Sequence, residues 1–209
     1  MVLVMIFPGW SGKKPKQRLA LLKKRLEEIP CVDVVIVEYL GISGPFTKLR
    51  TRSSIEELAS NAEKNIPYAG RERIIAIGHS LGAIIIRLLI KRGYKFDLCI
   101  FAGGPHKGFS SKFLRLYHLA ALLGVKPFFE LAPESDFLKS LGKAPPGIYI
   151  GSQIDEKVPI GSAIPENVKR KIYLFYCGHN MFPHKKRDES ASAIPIVVEI
   201  VRKYVNNSL

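Results

Sequence analysis

The chain has 209 residues, 47% hydrophobic and 24% charged, with a formal net charge of +14. These proportions exclude a disordered chain and suffice for a single domain, residues 1–209, with a substantial buried core. No uninterrupted apolar stretch approaches the roughly 20 residues of a membrane-spanning helix, and Arg87 splits the most apolar helical segment.

The first element is an apolar run, Val2–Phe7, halted by Pro8-Gly9. It lacks a basic leader and a small-residue cleavage site, so it reads as a buried strand and not as a signal peptide. Helical periodicity follows over Gln17–Glu28, then a strand over Val32–Tyr39. A helix is expected over Ser54–Asn65, started by a capping box at Ser53-Ser54-Ile55-Glu56. The run Arg73–Ile77 is a strand and Ser80–Arg92 a helix that Gly93 can end. Phe96–Ala102 is the fourth strand, followed by helices over Phe113–Leu123 and Glu134–Leu141. Strands at Gly147–Gly151 and Lys171–Cys177 precede a last helix, Ala193–Val205, in which Pro195 is tolerable only in the first turn.

Strands that are almost continuously apolar and alternate with helices imply parallel crossovers, with helices on both faces of one sheet. Ligands then bind beyond the carboxyl ends of the strands. Each polar residue can therefore be graded by the strand end it occupies.

The segment Gly78-His79-Ser80-Leu81-Gly82 follows a strand and opens an apolar helix. It has the spacing G-x-S-x-G. A chain turning this sharply strains the serine, and side chains two positions to either side would clash. The turn lifts the hydroxyl off the sheet and sets the Leu81 N–H at a helix N-terminus, facing a developing oxyanion.

Here the chain resembles the α/β-hydrolase family, in particular small bacterial lipases and esterases and PGAP1-like lipases. Further segments in the family's order share the resemblance: Phe7-Pro8-Gly9-Trp10-Ser11-Gly12 with the oxyanion loop H-G-x-x-G, and Ala102-Gly103-Gly104-Pro105-His106-Lys107-Gly108 with G-T-P-H-x-G. Leu131-Ala132-Pro133-Glu134-Ser135-Asp136-Phe137-Leu138 resembles a lipase stretch with a leucine, then Gly-Ser, then Phe-Leu. Gly151 to Pro159 resembles the acid loop G-x-x-D-x-x-V-P, and Gly178-His179 the histidine loop. The resemblance implies a compact α/β-hydrolase fold of about six mostly parallel strands flanked by helices. It implies no cofactor and no metal.

A serine hydroxyl needs a base, and the base an orienting acid. His179 directly follows the last strand, at the end where the site belongs, with Gly178 to let the backbone turn; His184 in the next basic loop is the reserve. His118 lies in a helical pattern and His106 precedes the acid. Asp155 follows the fifth strand, and the order Ser80, Asp155, His179 is that of this fold. Glu156 is the alternative acid, and an Asx-type turn would equally explain Asp155. Asp97 falls at the wrong end of its strand, and Asp136 suits the first turn of a helix.

By its match to the oxyanion loop, Trp10 supplies the second oxyanion donor beside Leu81. Pro8 stands where the family has histidine, which removes the side-chain contacts that usually hold that loop. Gly9, His79, His106, Phe109 and Phe113 are the expected substrate-contacting residues. Residues 105–133, rich in Phe and Leu, form either a lid over an apolar substrate or an ordinary core-facing helix.

The excess positive charge fits a self-repelling soluble surface or attraction to an anionic partner. The basic clusters are short, and neither zinc-finger spacing nor an RNA-recognition aromatic signature occurs, so no nucleic acid is expected. An apolar flap beside a basic surface would suit peripheral contact with anionic lipid. The three cysteines, Cys31, Cys99 and Cys177, are odd in number and widely spaced. They read as buried free thiols of a cytoplasmic protein. The expected function is hydrolysis of an acyl ester, esterase- or lipase-like. A thioesterase, an amidase, or a silent scaffold binding acyl ligands or anionic surfaces are the alternatives.

Overall fold

The computed structural model describes residues 1–10, 15–39, 53–67, 73–110, 125–183, 185 and 188–207, with the backbone alone for 15–18. The strands are β1 (Val2–Phe7), β2 (Val32–Ile36), β3 (Arg73–His79), β4 (Leu98–Ala102), β5 (Ile148–Ser152) and β6 (Arg170–Leu174). They form one parallel sheet in the order β2-β1-β3-β4-β5-β6. Between them run α1 (Pro15–Glu27), α2 (Ile55–Lys64), α3 (Leu81–Lys91), α4 (Lys126–Glu130), α5 (Asp136–Ser140), α6 (Ile160–Ala163) and α7 (Ile194–Val205). The short helices α4 and α6 are not foreseen by periodicity, because one turn carries no 3.6-residue repeat.

Each strand's alternating side chains feed two cores. Leu3, Met5 and Phe7 pack with α2 and α3 on one face, whereas Val2, Val4 and Ile6 pack with α1 and α7 on the other. All of β1 is buried, as a central strand covered on both faces must be. The sixth strand departs from that expectation. It is an edge, and Tyr173, Phe175 and Tyr176 stay exposed along and beyond it.

Local chemistry sets the ends. The capping box lies one residue later than expected: the Ser54 hydroxyl accepts from the Glu57 N–H, and the Glu57 carboxylate accepts from the Ser54 N–H. Gly93, at φ 96°, follows α3 in the left-handed region that closes helices. Pro195 falls in the first turn of α7, where no N–H is missed. Asp97 sits at the foot of β4, where its carboxylate accepts from the Ile74 N–H at 2.6 Å, far from the strands' carboxyl ends. One expectation fails. Cys31 is exposed in the turn before β2, while Cys99 and Cys177 are buried free thiols. A turn residue at φ 63° has no packed layer on its outer side. No helix among the described residues is long and apolar enough to cross a membrane.

Candidate active site

The site is built on the carboxyl ends of β3, β5 and β6. Ser80 joins β3 to α3 at φ 53°, a left-handed conformation that L-residues adopt at a cost. Its N–H is fastened to the Ala102 carbonyl of β4 at 2.9 Å. The two flanking glycines are required by space: a Cβ on Gly78 would stand 2.6 Å from the backbone of Ala83, and one on Gly82 would stand 2.0 Å from the Phe7 carbonyl oxygen.

His179 Nε2 lies 2.8 Å from Ser80 Oγ, and its Nδ1 lies 2.8 Å from Asp155 Oδ2. The Asp155 carboxylate is fully shielded from solvent, and the His179 side chain is 12% exposed. The other carboxylate oxygen, Oδ1, accepts from the N–H groups of Lys157 (2.9 Å) and Val158 (3.0 Å). The Asx-type turn and the contact with histidine are therefore both present, one per oxygen. Burial pushes the Asp155 carboxyl up, but the hydrogen bond and charge of His179 and the two backbone donors together outweigh it, so it stays below its ordinary range. Glu156 is exposed, with its carboxylate beside Gly178 and its backbone carbonyl taking the Ser110 hydroxyl at 3.1 Å, while Asp155 is the carboxylate that meets His179 Nδ1.

The histidine loop is held from three sides. The Ser152 hydroxyl of β5 donates to the Cys177 carbonyl. The carbonyl of His179 accepts from the Met181 N–H at 3.0 Å and from His79 Nε2 at 2.9 Å. His79 thus fixes the backbone of His179 while its ring packs edge-on against Phe182. Gly178 serves by room more than by turning: it is not among the glycines at positive φ, and an added Cβ would meet the Glu156 carboxylate at 3.1 Å.

Gly9 lies against Ser80, since a Cβ there would stand 3.0 Å from Ser80 Cβ and 2.9 Å from His79 Nδ1. The loop Pro8-Gly9-Trp10 finds an anchor that the sequence did not signal. Tyr39, fully buried, donates its hydroxyl to the Pro8 carbonyl. Burial raises the Tyr39 pKa well above its usual value, so the hydroxyl keeps its proton. Tyr39→Phe is expected to leave that carbonyl unpaired and to cost about 1–3 kcal/mol, read as a Tm drop of several degrees. An unchanged melting curve would remove Tyr39 from this role.

Trp10, His79, Ser80 and His179 line a cavity of about 60 Å³, joined by Leu19, Lys157, Asn180 and Phe182, none of which the sequence reading had singled out. Leu19 arrives on α1 from the other side of the sheet's edge, a meeting that no local pattern announces. Trp10 makes an edge contact with Phe128 at 5.7 Å, and Phe128 lies 5.7 Å from Phe109, so Phe109 belongs to an aromatic row next to the cavity. His106 is not brought to it. Its ring turns inward to pack on Phe101 and Tyr149, 5% exposed. Phe113, His118, His184 and the middle of the 105–133 segment lie outside the described residues.

No protein-family model matches the chain, and no curated protein matches it in sequence. Solved structures do match. Phospholipase PlaB from Legionella pneumophila superposes at TM-score 0.67 with 12% identity over 100% of this chain, which spans 64% of that protein. The same phospholipase in complex with thio-NAD gives 0.55 and 15% over 74% of this chain, spanning 39% of that one. Alpha/beta hydrolase domain-containing protein 10 from mouse gives 0.61 with 14% identity, covering 98% and 90% of the two chains. MGS-MChE2, an alpha/beta hydrolase enzyme from a sediment metagenome of the lagoon of Mar Chica, Morocco, gives 0.62 with 16% identity and 99% and 93% coverage. With the all-parallel six-stranded sheet and its flanking helices, these matches show that the chain has the α/β-hydrolase fold.

Proposed function

We propose that the chain is a serine hydrolase that cleaves carboxylic esters through an acyl-enzyme. The observation that carries this reading is the single file of Ser80 Oγ, His179 and Asp155, at 2.8 Å for each step, at the carboxyl rim of the sheet. Ser80 Oγ attacks the ester carbonyl carbon and its proton passes to His179 Nε2. The buried Asp155 carboxylate stabilises the imidazolium so formed. The negative oxygen of the tetrahedral intermediate is met by the N–H of Leu81, which has no partner within its own helix because it opens α3, and by the N–H of Trp10. Collapse expels the alcohol, which takes the proton from His179. A water then gives a proton to His179 as its oxygen attacks the acyl carbon, and collapse breaks the bond to Ser80 Oγ, which takes that proton back from His179 as the acid leaves. Neither metal nor cofactor has a step in this sequence.

The phospholipase among the structural neighbours agrees with this class, and the aromatic row of Trp10, Phe128 and Phe109 offers an apolar wall for the acyl part. A fluorophosphonate probe is expected to label Ser80, seen as the modified peptide by mass spectrometry. A p-nitrophenyl ester series from acetate to palmitate is expected to turn over, with its optimum sorting esterase from lipase. Labelling of Ser80 without turnover of any ester, while a matched thioester or anilide is cleaved, would move the reaction class to a thioesterase or amidase, and failure of the probe to label Ser80 would remove Ser80 as the nucleophile.

A further inference from the structure

Arg87 lies in the second turn of α3, buried to 5% exposure, and it pairs with no carboxylate among the described residues. Its Nη2 donates to the Gly142 carbonyl at 2.8 Å, and its Nη1 approaches the carbonyl and Nδ1 of His106, each at 3.4 Å. Every one of these acceptors is neutral, and Arg87 Nε has no partner among the described residues. Because His106 Nδ1 faces a guanidinium N–H, it must accept, which leaves the ring proton on Nε2. That atom also has no partner. A guanidinium does not shed its charge, and burying it without a counter-ion costs folding free energy.

Arg87 and His106 form part of a cleft of about 400 Å³ that Lys107, Lys143 and Asn167 also line. Among the described residues no acidic side chain lines it. Lys107 reaches Glu166 at 3.2 Å, but that carboxylate is 94% exposed and turned to solvent, and it does not compensate the buried charge. The cleft shares no residue with the cavity at Ser80.

We propose that this cleft binds a small phosphate-class oxyanion, seated on the Arg87 guanidinium with Lys107 and Lys143 at its rim. Such an ion is negatively charged and presents several acceptor oxygens, and the cleft's charged groups carry only donors, so each would supply a partner that the other lacks. The site is separate from the ester chemistry, yet it is mechanically tied to it. Arg87 lies about 10 Å along the same helix from Ser80. The ring of His106 sits beneath Gly104, where an added Cβ would touch both His106 Nε2 and Ala83 in the first turn of α3. A bound ion would stiffen the support of the nucleophile turn.

The test is titration calorimetry and thermal melting with inorganic phosphate at constant ionic strength, on the wild type, Ser80→Ala, and the double variant Lys107→Ala/Lys143→Ala. The wild type and Ser80→Ala are expected to bind one phosphate saturably and alike, with a rising Tm. The double variant, altered only at the rim and not at the buried arginine, is expected to fold and to bind at least roughly fivefold more weakly. No saturable phosphate binding, equal binding in the double variant, or loss of binding in Ser80→Ala would each overturn the proposal. So would binding to phosphatidic acid vesicles without binding to free phosphate, since the cleft would then read a lipid surface and not the ion.

Discussion

Replacing Ser80 by alanine is expected to lower kcat for a p-nitrophenyl ester by about 10⁴- to 10⁶-fold, with KM changed little. The oxygen proposed to form the acyl bond is gone, and no second hydroxyl among the described residues lies in reach of His179 Nε2 in its place. Residual catalysis would come from binding and the two backbone donors alone, now aimed at water as the attacking group. The fold should tolerate the change. Alanine removes one oxygen at a buried turn, and the strained backbone is held by the Ser80 N–H to Ala102 bond and by the close approach of Gly82 to Phe7, neither of which uses the side chain. Equal rates in wild type and variant would defeat the assignment of the nucleophile, whatever the fold.

Asp155→Asn is expected to lower kcat by about 10⁴-fold. An asparagine amide facing His179 Nδ1 can donate to it, which places the ring proton on Nε2, the atom that must accept from Ser80. The variant also loses the charge that stabilises the imidazolium. The two backbone bonds from Lys157 and Val158 run to the other oxygen and can survive, so the loop should keep its shape. A stability signature accompanies the rate. The Asp155 carboxyl is held below its ordinary value of 3.8 in the folded state. Its ionised form therefore stabilises the fold fully above that value, and the contribution is lost as pH falls through the lower folded pKa. Melting curves of wild type and variant should differ at neutral pH and converge under acid. A gap of constant size down to acid pH would mean that the carboxylate is not held in the way the structure shows.

Much of the fold was legible because it is local. Val2–Phe7 is apolar throughout and buried on both faces, and Gly78-His79-Ser80-Leu81-Gly82 has glycine where the Phe7 carbonyl and the Ala83 backbone leave no room for a Cβ. Boundaries were less legible. The second strand stops at Ile36 instead of Tyr39, and the sixth runs over Arg170–Leu174 instead of Lys171–Cys177, because hydrogen bonding to a neighbour, and not residue type, ends a strand. His106 shows the same limit in the site. It occupies the right strand end by sequence, yet its ring turns into the core beside Arg87, a helix away in the chain.

Sequence by itself determined the alternation of strands and helices and the parallel sheet, and it pointed to Ser80, Asp155 and His179 at strand ends with Glu156 and His184 as alternatives, since periodicity and strand-end placement are properties of short segments. Only the tertiary structure decided who steadies them: Tyr39 under Pro8, His79 on the His179 carbonyl, Leu19 and Phe182 around the cavity, and the uncompensated Arg87 behind it. Those contacts join residues far apart in the chain, and their geometry follows from how the two cores pack against the sheet, which no local pattern encodes.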